Sequence, residues 1–334
     1  MNDIKTQLEH TLDKFDIGDN KLNLPFYSIL EVFYNYGFYG VHVFYAISGF
    51  VFAHVYLSID NKVSGKEFFI NRFARLYPLH FITLIIVTIL QTVNWISASS
   101  FQIFQNNDLY HFILQIFFIS SWGFEDGPSF NGPIWSVSIE IFIYGIFFLL
   151  MSLLRKFRLF LTLLICVVLL IFSKLEFADS MYYSLQLFLE CGRLFFLGVL
   201  VYYISNRIKF KLPLLLFAVL CLSFSLVGNF NTFLFCPSIL LIFVLSEPLI
   251  KGKKVQNFFR ASGNLTYALY LLHIPTQLII LLIFKNFNFS DSIYLKSYFF
   301  LTFFGIIISS AYLCFKFYEN PMNKKIRAVL LKKG

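Results

Sequence analysis

The chain has 334 residues, of which 58% are hydrophobic, 20% aromatic and only 13% charged, with a mean hydropathy of +0.73. Soluble domains carry about 25% charged residues, so this chain has too little polar side chain to cover a water-soluble globule, while its apolar content excludes disorder. A formal net charge of +9 would point to nucleic acid in a soluble protein; in a polytopic membrane protein it reports orientation and contact with anionic lipid, and no nucleic-acid partner is expected.

The first 23 residues are polar and lack the apolar core of a cleavable signal peptide. Segment 24–37 (LPFYSILEVFYNYG) is amphipathic and aromatic, with Glu31 and Asn35 in its middle, which suits the membrane interface. A crossing helix needs about 20 mostly apolar residues. Runs that meet or approach this length are 38–58, 76–96, 134–154, 158–173, 183–204, 212–228, 232–250, 265–284 and 296–317. Stretch 109–122 is apolar but short and reads as a re-entrant or interfacial helix inside a longer loop. The expected fold is all-α: a polytopic helical membrane protein of about nine spans plus that short helix. Residues 1–37 form its N-terminal segment, 38–317 the membrane domain and 318–334 a basic tail.

Threading these spans places 20 Lys and Arg residues in the loops of one side and two in the loops of the other, with Lys296 on the edge. The basic side is cytoplasmic by the positive-inside rule. The tail is therefore expected in the cytoplasm of a cell whose inner membrane holds the protein. Span 38–58 then runs from outside to inside, so a preceding first helix is missing or replaced. The five cysteines lie in or beside apolar runs without a CxxC pair and read as small core residues. No HExxH, Cys/His cluster or Walker-type phosphate loop is present, so no metal or bound cofactor is expected, and an anion site has to be built from Arg and helix ends.

Ionisable groups within lipid are costly and serve as functional hypotheses. His42 and Glu140 fall in the outer thirds of their helices, His273 near the midplane, and His54 and His80 in the inner thirds. Glu190 and Arg193 are three apart, a spacing that lets them neutralise each other as a structural pair. At the cytoplasmic mouth of the second span, Arg72 and Arg75 stand at i and i+3 and face the same way on a helix. Such a pair matches a phosphate or carboxylate, or anchors the helix at the interface. Ser48-Gly49-Phe50 sits mid-span, where glycine permits close helix packing. Asn131-Gly132-Pro133 leads into Trp135, Ser136 and Glu140, whose carboxylate needs a cation, hydroxyl or water in the outer leaflet.

These pieces, taken in order, resemble the acyltransferase-3 family of bacterial membrane O-acyltransferases. The resemblance runs from Gly40-Val41-His42-Val43-Phe44 and Ser48-Gly49-Phe50, through Phe69 to Pro78 and Pro133 to Glu140, to Arg193 with Phe195 and Gly198. It ends with Ser262-Gly263, Tyr267 to Pro275, and Tyr318-Glu319-Asn320-Pro321, and so covers roughly residues 37–321. It implies a ten-helix bundle that moves an acyl group, usually acetyl, from cytoplasmic acyl-CoA to a hydroxyl of a surface or envelope glycan. Arg72 and Arg75 match the family's paired arginines at the acyl-CoA entrance. The family's usual first helix, with a basic residue followed about eleven positions later by a catalytic His, has no counterpart here. His42, which stands where an acidic residue is common, and Glu140 are then the substitutes for the base.

The expected site has Arg72 and Arg75 binding the CoA phosphates, the acyl arm reaching toward Ser48 and His273, and Trp135 and Ser136 shaping the acceptor side. His42 or Glu140 is the base, and Ser48 an alternative covalent carrier. The partners are membrane lipid, acyl-CoA as donor substrate and a glycan acceptor. Two other readings stay open at this level: a transporter of a glycan or amphiphile, and a family member rendered inactive by the missing helix.

Overall fold

A computed structural model describes residues 23–58, 63–174, 180–208, 210–226 and 230–331. Among the described residues every regular element is helical. Seven helices among the described residues are long and apolar enough to cross a membrane. Helix α1 (Tyr27–Tyr36) buries no residue and passes through a single tight turn, Gly37–Tyr39, into α2 (Gly40–Phe52). The segment expected at the interface is thus the leading end of a 31-residue helical run, Tyr27–Leu57. Helix α3 spans Gly65–Ala98, α4 Leu109–Ile116 and α5 Ile134–Phe172. The expected runs 134–154 and 158–173 are the two halves of α5, broken at Arg158, whose φ is 41° and ψ −116°. Then follow α6 (Ser180–Arg207), α7 (Lys211–Leu226), α8 (Thr232–Ser246), α9 (Lys253–Asn286), α10 (Ser297–Cys314) and α11 (Asn320–Leu330). With 16 residues, α7 is about 24 Å long, somewhat short of the hydrocarbon core. Helix α4, of eight residues, is far too short to cross, as the sequence implied.

The chain divides into two compact units. One comprises residues 38–68 and 136–259 and is built from α2, most of α5, α6, α7 and α8. Here α2 packs on α6 and α8, and α7 packs on α8. Gly49 and Gly198 make the α2–α6 crossing: a Cβ on Gly49 would lie 1.8 Å from the Phe195 carbonyl oxygen, and one on Gly198 1.9 Å from that of Ala46. Small residues allow two backbones to touch where lipid supplies no hydrophobic drive between helices. Below the crossing, Phe52 centres an aromatic core, stacked on Tyr144 at 4.2 Å and edge-on to Phe68, Phe147 and Phe195. Ala53–Leu57 form a π-helical turn, and the Tyr56 carbonyl within it accepts from Nε and Nη2 of Arg155. The outward faces are apolar: Leu216, Phe217, Leu220 and Phe224 of α7 are all exposed, a surface that fits lipid and not water.

The other unit comprises residues up to 37, 69–135 and 260–334. Its core packs Leu84 and Val87 of α3 with Phe130 and with Ile274 and Leu278 of α9. Both long helices carry an internal proline, Pro78 in α3 and Pro275 in α9. Each removes one helical N–H and frees the carbonyl four residues earlier, and those interruptions shape the site described next.

Candidate active site

In the first unit the crossing of α2 and α6 brings His42 against Glu190, with Nε2 3.4 Å from Oε1. His42 is 2% exposed, and its Nδ1 is buried without a hydrogen-bond partner. A ring that presents one N–H to a carboxylate carries its lone pair on the other nitrogen. With the ring neutral and its proton on Nε2, on the Glu190 side, Nδ1 is the basic nitrogen. Glu190 thus faces His42 in addition to acting electrostatically on Arg193, which donates Nη1–H to Ser173 Oγ at 2.7 Å and lies 3.7 Å over the Phe233 ring. Glu140, the seventh residue of α5, acts electrostatically on Cys191, the fully buried neighbour of Glu190. Ser48 is half-buried on α2, six residues beyond His42.

In the second unit Arg72 and Arg75 both lie on α3, as their spacing required. Arg75 pairs with Glu319, which is 1% exposed and sits at the end of a second π-helical turn, Phe315–Glu319. Such turns carry one residue too many and re-aim a side chain. Two tyrosines complete the clasp at the Pro78 kink: Tyr267 donates to the Leu76 carbonyl at 2.7 Å and Tyr318 to that of Pro78 at 3.1 Å. The Arg75 guanidinium also lies 5.8 Å from the Tyr267 ring. Three motifs distant in sequence thus meet at one place, the basic run 72–75, Tyr267 and Tyr318-Glu319.

Farther along α3, His80 is fully buried, with Nε2 2.8 Å from the Gln115 carbonyl. Gln115 Nε2 donates to the carbonyl and Oγ of Ser129, and Asn131 Nδ2 to Thr83 Oγ1 and the Leu271 carbonyl. His273, one helical turn from Tyr270 on α9, lies beside the Tyr270 ring, 6.0 Å between centroids. Ser48 and His273 belong to different units, as do Ser136 and Trp135 at the start of α5. In the 108–126 loop, Asp108 caps α4 through the His111 N–H and accepts from His111 Nδ1, which holds its carboxyl below the usual range.

Sequence reasoning did not find Glu190 as the partner of His42, nor Glu319 as that of Arg75. Glu319 is the only acid among residues 316–334, a local singularity that could have drawn attention to it.

The family model described as acyltransferase domain (acyltransferase-3) matches residues 10–316. The chain belongs to this family, and its fold is that of a multi-pass membrane acyltransferase. No curated protein and no solved structure matches it.

Proposed function

We propose that the protein moves an acyl group, acetyl in the simplest case, from cytoplasmic acyl-CoA to a hydroxyl of a cell-envelope or surface glycan. The observation that carries this reading is the His42–Glu190 pair, a buried imidazole whose Nδ1 is uncommitted while a carboxylate holds Nε2. A general base needs that arrangement, one nitrogen free for the reacting hydroxyl and the other oriented. His42 Nδ1 takes the proton of the acceptor hydroxyl as its oxygen attacks the thioester carbon. The tetrahedral intermediate then collapses, the C–S bond breaks, and the proton on His42 passes to the departing CoA thiolate.

Arg72 and Arg75 hold the donor's phosphates, with Glu319 and Tyr267 fixing Arg75 in place. Trp135 and Ser136 shape the acceptor side, and Glu140 supplies a second carboxylate on the side of the base. The Arg75–Glu319 pair supports the expected topology, because that topology puts the start of α3 and the basic tail on one side and this pair joins the two.

The test uses inside-out membrane vesicles, acetyl-CoA and envelope glycan, with free CoA thiol as the readout. Glycan-dependent thiol release is expected, lowered about 10²- to 10⁴-fold in His42→Gln and lost in Arg72→Ala/Arg75→Ala. Release that persists unchanged in both variants would sink the reading.

A further inference from the structure

The buried acceptor atoms of the second unit that have no hydrogen-bond partner include His80 Nδ1, Gln115 Oε1 and Asn131 Oδ1. All three residues are at most 1% exposed. Their polarity is fixed by what their other atoms do. His80 Nε2 faces a main-chain carbonyl, which only accepts, so the proton of the neutral ring is on Nε2 and Nδ1 is bare. Gln115 Nε2 and Asn131 Nδ2 likewise face main-chain carbonyls of Ser129 and Leu271, so in both amides the oxygen is the free atom.

These residues form one connected patch. Asn131 bonds Thr83, Thr83 bonds the His80 carbonyl, and His80 bonds Gln115. A buried acceptor left unpaired is costly, and three in one patch call for a ligand that brings hydrogen-bond donors.

We infer that His80, Gln115 and Asn131 form a binding site for the two amide N–H groups of the pantetheine arm of acyl-CoA. The inference rests on the proposed donor role of Arg72 and Arg75. His80 follows Arg75 by five residues on α3, a rise of about 7.5 Å along the helix. A donor anchored by its phosphates at the arginines runs its arm along α3 past this patch. Pantetheine amides are secondary amides, whose N–H groups match bare acceptors, and the patch reads the arm without regard to the acyl group it carries.

The experiment measures binding of desulfo-CoA to the detergent-solubilised protein, and then compares thioester donors. S-acetyl-N-acetylcysteamine keeps one of the arm's amides, and an S-acetyl alkanethiol of equal length keeps none. The wild type is expected to bind the amide-bearing compound about three- to tenfold more tightly. His80→Phe and Gln115→Met should weaken desulfo-CoA by a similar factor and erase that preference. His80→Gln, which keeps both a donor and an acceptor, should restore both.

Equal binding of the two thioesters by the wild type would overturn the inference without requiring any variant to fold. Variants that spare desulfo-CoA but raise the KM for glycan would assign the patch to acceptor hydroxyls instead, and variants that change neither would assign it to structural water. Either result overturns the inference and leaves the proposed function standing. Loss of all desulfo-CoA binding in the wild type would overturn the proposed function itself.

Discussion

The side-chain amide of Asn131 donates to the main-chain carbonyl of Leu271 at 3.1 Å. Leu271 stands four residues before Pro275, and the carbonyl it offers is the one that the proline leaves without a helical N–H. The asparagine of the Asn131-Gly132-Pro133 turn therefore repairs a break in a helix 140 residues away. Asn131→Leu is expected to cost about 1–3 kcal/mol by orphaning that buried carbonyl. In a Pro275→Ala background the helix supplies its own N–H, and the same substitution should cost clearly less. Thermal unfolding in detergent across the double-mutant cycle measures the coupling; strict additivity would show that the two residues act independently.

Arg75 and Glu319 form a pair in which the acid is almost completely buried. Removing one partner strands a charge, whereas removing both does not. Glu319→Gln and Arg75→Met should each destabilise the protein by on the order of 3 kcal/mol. Arg75→Met combined with Glu319→Met should recover most of that loss. Denaturation of the three variants decides it, and a double variant as unstable as the sum of the singles would contradict the pairing.

Much of this architecture was legible in the chain. Apolar runs of helical length mark the long helices, and the shortness of 109–122 marked α4 as unable to cross. The spacing of Arg72 and Arg75 put both on one helix. What could not be read locally is which helices cross. Glu190 lies three residues from Arg193, and spacing alone pairs them. The glycine contact between α2 and α6 brings His42 to Glu190 as well, a relation set by residues 49 and 198 and invisible in either segment alone. The Asn131 bond is of the same kind: Pro275 announces a free carbonyl at Leu271 but not the donor that satisfies it. Ser48 and His273 share neither a segment nor a compact unit, so no local pattern relates them.

The α2–α6 crossing is itself testable. A methyl at Gly49 or Gly198 would lie within 2 Å of a backbone carbonyl oxygen of the facing helix, and backbone cannot yield as a side chain can. Gly49→Ala and Gly198→Ala should each cost about 1–3 kcal/mol and reduce acyl transfer by displacing His42 from Glu190. Gly145 on α5 has nothing within 4 Å of its added methyl, so Gly145→Ala should be neutral or slightly stabilising. Unfolding midpoints and initial rates of the three variants would separate them. Equal behaviour at all three positions would mean that the crossing does not hold the pair.

Glu125 gives the loop beyond α4 a pH dependence of definite sign. Burial pushes its carboxyl up to about 8, opposed by the Ser121 hydroxyl, which donates to Oε1 at 3.0 Å. The folded loop thus keeps a proton that the unfolded chain releases near 4.5. Stability from this group is complete below that lower value, declines as pH rises toward 8, and levels off above it, because the unfolded state binds fewer protons throughout the interval. Hydrogen exchange of residues 117–129 should accordingly be faster at pH 9 than at pH 7, beyond the intrinsic base catalysis of exchange. Glu125→Gln should remove that excess. The interval from pH 7 to 9 keeps the measurement clear of the acid range in which Asp108 would lose its bonds to His111. An excess that persists in Glu125→Gln would place the titrating group elsewhere in the loop.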